Sequence, residues 1–161
     1  MPSSLVLDEI DHHLLDLLQH DADRTLREFG DDVGLTPSAV QRRIARYRKA
    51  GLISRQVAIL DPHQLGPTVL ASVMITLVHE SLEHHKQFTD RMRATPEVQQ
   101  CYLIAGPCDY LVLLAANSPR HCSQLGNRLF KSDDNIKRYE TSMVFDTIKA
   151  GLTIPLTDRS G

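Results

Sequence analysis

Cysteine is scarce in this chain: three residues in 161, an odd and scattered set. That excludes a disulfide framework, and no Cys-x-x-Cys pair offers zinc-site spacing. Long hydrophobic runs are also missing. None approaches the roughly 20 residues a membrane helix needs, so no membrane partner is expected. The acidic start lacks a signal-peptide pattern, which predicts a cytoplasmic location. A nucleophile with an orienting base is missing too. His121 and Cys122 are adjacent, and neighbours on a helix diverge by about 100°. Cys122 falls on an apolar face, as a small core residue does. No enzyme is expected. The chain lacks the basic excess of many nucleic-acid binders as well: its net charge is −2.

What is present is a soluble globular composition, 42% hydrophobic and 24% charged, long enough for one domain or two small ones. The charge is unevenly placed. Residues 1–36 carry nine acids against two bases, and residues 37–56 carry six bases and no acid. Local field matters more than the total for docking on a charged partner.

The basic stretch, Thr36 to Leu52, carries its own boundaries. Thr36 suits an N-cap, Pro37 the first helical position, and Gly51 the left-handed end. Val40, Ile44 and Tyr47 share one face by spacing. Ser38, Gln41, Arg42, Ala45, Arg46 and Lys49 fall on or beside the opposite one. A basic run alone is most often a solvated face. Its context makes it more than that. Asp8 caps a helix bearing Ile10, Leu14, Leu17 and Leu18, ending near His20. Thr25 caps a short helix to about Val33, with Leu26, Phe29 and Val33 inward, and Gly30 weakens it. Gly34-Leu35-Thr36 then turns into the basic helix. Two helices joined by a tight glycine-containing turn, with a third to cover them, predict a helix-turn-helix suited to a DNA major groove. Residues Leu52 to Leu60 read as a small β wing, with Arg55 reaching a phosphate. The DNA-contact candidates are Thr36, Ser38, Gln41, Arg42, Arg43, Arg46 and Arg55. Arginine suits guanine edges or phosphates, and glutamine suits adenine.

Residues 61–67 hold two prolines and a glycine and read as a linker between domains at 1–60 and 68–161. The second half predicts strands over Val69–Val78, Val98–Ala105, Tyr110–Ala116 and Ile136–Asp146. It predicts helices over Ser81–Ala94, with Leu82, Phe88 and Met92 inward, and from Pro119 to about Phe130. The order β-α-β-β-α-β is the ferredoxin-like unit, giving an α+β chain overall. In that unit one sheet face is open, so its strands should alternate apolar and polar. Residues 69–75 and 111–116 are apolar at both parities, which predicts a face-to-face homodimer.

The ordered set of motifs resembles the leucine-responsive/asparagine-responsive (Lrp/AsnC) feast/famine regulators. It consists of Leu7-Asp8-Glu9-Ile10-Asp11, Val33 to Ser38, Arg42-Arg43-Ile44, Gly51-Leu52-Ile53, Val98 to Tyr102, Gly106 with Asp109-Tyr110, and Lys149 with Ile154-Pro155-Leu156. The resemblance covers nearly the whole chain. It implies a winged helix-turn-helix for double-stranded DNA, an effector-binding and assembly domain, homodimers that associate to octamers, and an amino-acid effector. It implies no other cofactor. It places the effector near Gly106, Cys108 and Asp109 and near Thr141 and Ser142. This chain departs from the family's usual Gly-Asp-Tyr-Asp loop: Pro107 removes an amide and Cys108 an aromatic wall. Gly-Pro-x-Asp is also an ordinary turn sequence. The competing reading is a metal-responsive DNA-binding regulator whose eight histidines meet at an oligomer interface. His12-His13 and His84-His85 point apart within one chain, so no metal ligands are assigned.

Overall fold

The computed structural model describes residues 5–156. It divides into two compact units: residues up to Ile59 together with those from Lys149 onward, and Leu60–Ile148.

The first unit contains three helices, α1 (Glu9–His20), α2 (Leu26–Val33) and α3 (Pro37–Lys49). Each begins where a short polar side chain can take an otherwise orphaned amide. Asp8 accepts from the Asp11 amide, Thr25 from that of Glu28, and Thr36 from that of Ala39. Gly34, at φ 70°, ends α2 in the left-handed region. Gly30 is fixed by contact: a Cβ there would lie 2.4 Å from the Leu35 carbonyl oxygen. That carbonyl belongs to the turn, so the glycine lets the turn fold back on α2. Leu14, Phe29, Val40, Ile44 and Tyr47 form the centre of the core, with Leu15 and Val33 at its edge.

Residues 52–60, expected as a β wing, form no strand. They run on after α3 as irregular chain, almost wholly exposed, with no second strand among the described residues to supply a ladder. The last segment also differs from expectation. Residues from Lys149 group with the first unit instead of closing the second. The Gln19 amide donates to the Ile154 carbonyl at 3.0 Å and accepts from the Ile154 N–H at 2.7 Å. Leu156 packs beside the first-unit core.

The second unit has strands β1 (Val69–Leu77), β2 (Val98–Leu103), β3 (Tyr110–Ala116) and β4 (Ile136–Met143). Its helices are α4 (Leu82–Ala94) and α5 (Pro119–Gly126), the latter continued by a π-helical turn over Asn127–Lys131. The sheet order is β2-β3-β1-β4, antiparallel throughout. This is the expected ferredoxin-like arrangement. Alternate residues of β1 and β3 point to the helices: Ala71, Val73, Ile75 and Leu77, with Tyr110, Val112, Leu114 and Ala116, are buried against Phe88, Met92, Leu125 and Phe130. Leu82, expected inward, is 90% exposed. It occupies the first helical position, and the buried contacts of α4 begin a turn and a half later at Phe88.

The other sheet face carries Leu70 and Met74 of β1 beside Ala115 and Leu111 of β3, with Leu113 opposite Ser72. Tyr102 lies opposite Leu111. The apolar character at both parities therefore divides between a covered face and an open one.

Candidate nucleic-acid interface and effector loop

Helix α3 is amphipathic in the sense its spacing requires. Val40 and Tyr47 are fully buried and Ile44 nearly so, while Ser38, Gln41, Arg42, Ala45, Arg46 and Lys49 are exposed. The Thr36 hydroxyl caps the helix and lies 3.2 Å from the Ser38 hydroxyl. Leu52 N–H donates to the Tyr47 carbonyl at 2.9 Å, with Gly51 at φ 73°, which closes the C-terminal end.

The cations of α3 are not equivalent. Arg43 donates to both carboxylate oxygens of Asp8, at 3.0 and 2.9 Å, and to Asp11 at 2.5 Å. Arg46 donates to the other oxygen of Asp11 at 2.6 Å. The Tyr47 hydroxyl donates to Asp11 as well. Asp11 is only 1% exposed. Burial alone would raise its pKa, but the bonds from Tyr47, the Asp8 amide, Arg43 and Arg46 prevail and hold it well below the usual carboxylate range. Burial and the Asp11 carboxylate push the Tyr47 phenol upward. Arg42 has no ion pair among the described residues, and Arg48 bonds the Gln56 side chain. Arg55 is exposed in the segment after α3.

Of the seven expected DNA contacts, then, Ser38, Gln41 and Arg42 share the free face and Arg55 lies beyond the helix. Thr36 serves as the cap. Arg43 and Arg46 are turned to carboxylates on or beside α1. The missed residue is Asp11, an acid spaced three before Leu14 on an otherwise apolar helix face. That placement, opposite an Arg-x-x-Arg-Tyr run, was the available signal.

In the second unit, Asp109 builds its own turn. Its carboxylate accepts from the Leu77 amide at 2.6 Å, its N–H bonds the Ile75 carbonyl, and its carbonyl accepts from Ile104. Cys108 is buried, with its thiol 3.6 Å from the Tyr110 carbonyl. Beside this loop, on the open sheet face, lies a shallow depression of about 190 Å³ lined by Met74, Thr76, Pro107, Cys108, Arg138 and Glu140. Arg138 and Glu140 pair with each other. Ser142 is on the same face, opposite Ser72, whereas Thr141 lies opposite Val73 and takes the other parity. The loop and β4 are thus brought together at Arg138 and Glu140.

His84 and His85 are each occupied locally, bonding the Ser81 and Tyr110 hydroxyls at 2.6 Å. Among the described residues no group of three or more metal-ligating side chains converges, and no helix is long and apolar enough to cross a membrane.

Comparison with known proteins agrees with this geometry. Residues 7–48 match the AsnC-type helix-turn-helix domain, and residues 70–154 the Lrp/AsnC ligand binding domain. The chain is 32% identical over 153 residues to an HTH-type transcriptional regulator of Sinorhizobium fredii, covering 95% of this chain and 90% of that one. It is 32% identical over 156 residues to the glutamate uptake regulatory protein of Zymomonas mobilis, covering 96% and 93%. Among solved structures, a Neisseria meningitidis transcriptional regulator in complex with L-Met superposes with a TM-score of 0.87 at 25% identity, covering 94% of this chain and 98% of that one. An AsnC family regulator from Agrobacterium tumefaciens gives 0.86 at 27% identity, covering 93% and 97%. None of these findings favours the metal-responsive alternative. With a helix-turn-helix whose third helix keeps a dry seam and a polar outer face, followed by a ligand-binding ferredoxin-like domain, the chain belongs to the Lrp/AsnC family of DNA-binding transcriptional regulators.

Proposed function

We propose that the protein regulates transcription as a homodimer that reads DNA through Ser38, Gln41 and Arg42 and responds to a zwitterionic amino acid. The supporting observation is the division of α3. Its apolar residues are buried, and its first two turns offer hydroxyl, amide and guanidinium groups to solvent. Arg42 takes a guanine edge, Gln41 an adenine edge, and Ser38 with the helix N-terminus the backbone. Lys49 and Arg55 supply sequence-independent contacts to phosphates. A dimer presents two such helices to half-sites about one helical turn apart, roughly 34 Å.

The effector reading rests on the depression beside Gly106. Arg138 and Glu140 form a cation and an anion that a zwitterion can separate, carboxylate to Arg138 and ammonium to Glu140. Met74 and Cys108 add a soft apolar wall for its side chain. Asp109 shapes the loop instead of meeting the ligand, because its carboxylate is engaged with Leu77.

The test uses a duplex selected by the wild-type protein from a random pool. Arg42→Ala should retain the helical spectrum and lose tenfold or more in affinity, about 1.4 kcal/mol or more. Unchanged affinity would remove α3 from the interface. Calorimetry with a panel of amino acids then tests the effector. A heat of binding that vanishes in Glu140→Ala supports the zwitterion site, and equal heats in both proteins would sink it.

A further inference from the structure

We propose that Asp11 is a specificity-setting positioning residue, a buried carboxylate that withholds Arg43 and Arg46 from DNA phosphates and fixes which face of α3 is offered to the groove. The inference rests on α3 being the element that docks on DNA.

The geometry is complete within the first unit. Two oxygens of Asp11 receive four donors: Arg43 and the Tyr47 hydroxyl on one, Arg46 and the Asp8 amide on the other. Arg43, Arg46 and Tyr47 are spaced i, i+3 and i+4, so one carboxylate meets all three across a single patch of α3. That patch borders the apolar seam of Val40 and Ile44. Rotation of α3 about its axis would break the three bonds from Arg43, Arg46 and Tyr47, and Asp8 holds Arg43 a second time. Hydrogen-bonded ion pairs thus index the helix where hydrophobic contacts, which are not directional, would only hold it.

The charge consequence is separate from the mechanical one. Arg46 is still partly exposed, with a side-chain accessibility of 44%, so it lies at the surface without being free. A cation released there would reach whatever phosphate is nearest, whatever the sequence. Phosphate contacts strengthen binding to all DNA alike, whereas base contacts discriminate. Holding two of the α3 arginines on carboxylates lowers the indiscriminate part of the affinity and leaves Gln41 and Arg42 a larger share of the whole.

The experiment compares the selected duplex with an unrelated duplex of the same length over a range of salt. Asp11→Asn keeps the shape of the side chain and drops its charge. It should bind the unrelated duplex several-fold more tightly at low salt. Its plot of log affinity against log salt should steepen by about one to two units, at about 0.9 per added phosphate contact. The ratio of selected to unrelated affinity should fall about tenfold. Tyr47→Phe removes one hydrogen bond and leaves the charges, so it should keep the wild-type slope. A folded Asp11→Asn with wild-type slope and ratio would overturn the proposal and reduce Asp11 to a structural residue. Should Asp11→Asn not fold, Arg43→Gln and Arg46→Gln decide the matter. Wild-type salt slopes support the withheld state, and a slope shallower by about one unit in either overturns it. Arg42→Ala with undiminished affinity would fail differently, by dismissing α3 as the docking element and this inference with it.

Discussion

Tyr47 of α3 and Asp11 of α1 share a buried hydrogen bond, phenol to carboxylate, that joins the third helix to the first. With Arg43 and Arg46 on the same carboxylate, the bond makes the core of the helix-turn-helix partly ionic. Removing Asp11 as Asp11→Ala leaves these groups without their shared acceptor. A loss of about 3–5 kcal/mol follows from breaking a buried pair at one partner. The pH dependence has a definite sign. The folded pKa of Asp11 lies below its unfolded value near 4. Its stabilisation is therefore fully present above that value and is lost as pH falls below it toward the folded pKa. Urea unfolding at neutral pH and at about pH 3 should show a larger acid loss in wild type than in Asp11→Asn. Equal losses would contradict the assignment.

Gly30 offers a test of the turn. Alanine is the better helix former by about 1 kcal/mol, so propensity alone predicts that Gly30→Ala stabilises. Its new Cβ would meet the Leu35 carbonyl oxygen at 2.4 Å, a backbone atom in the turn before α3. The expected outcome is destabilisation, read as a lower melting temperature, together with weaker DNA binding as the turn shifts. A rise in melting temperature would show that the turn yields at little cost.

The docked tail predicts a local protection pattern. Both backbone groups of Ile154 bond the Gln19 amide, and Leu156 packs beside the first-unit core. Hydrogen exchange at the Ile154 amide should be slowed in wild type and fast in Gln19→Ala, with α1 amides little changed. Fast exchange in both proteins would mean that the tail does not dock in solution.

The open sheet face predicts the oligomer. Leu111 and Leu113 are partly exposed in the single chain, with Met74 at 38% and Tyr102 at 45%. A carboxylate buried in a sheet-to-sheet contact has no partner there. Leu113→Glu should therefore shift the protein toward monomers by light scattering at micromolar concentration. A wild-type mass for the variant would place the assembly surface elsewhere.

Much of this was legible because it is local. Asp8, Thr25 and Thr36 cap the helices they were expected to cap, and Tyr110–Ala116 forms a strand over the expected span. Capping and alternation depend on a few neighbouring residues. What was not legible depends on distant partners. Residues 52–60 have strand-like composition, but a strand requires a partner and these find none among the described residues. Leu82 is apolar, but it lies six residues before Phe88, about 120° round the helix, and so misses the face of α4 that meets the sheet. The bonds of Arg43 and Arg46 to Asp11, more than thirty residues earlier, leave no mark in the local pattern of α3. Thr141 and Ser142 are adjacent, so in β4 they take opposite sheet faces.

In the proposed complex Arg42 faces DNA while Arg43 and Arg46 face carboxylates. Arginine modification by phenylglyoxal, located by mass spectrometry with and without the selected duplex, tests this directly. Arg42 should react readily in the free protein and be shielded by DNA, and Arg43 and Arg46 should react slowly in both states. An Arg42 that reacts equally with and without DNA, beside an Arg43 or Arg46 that DNA protects, would contradict it.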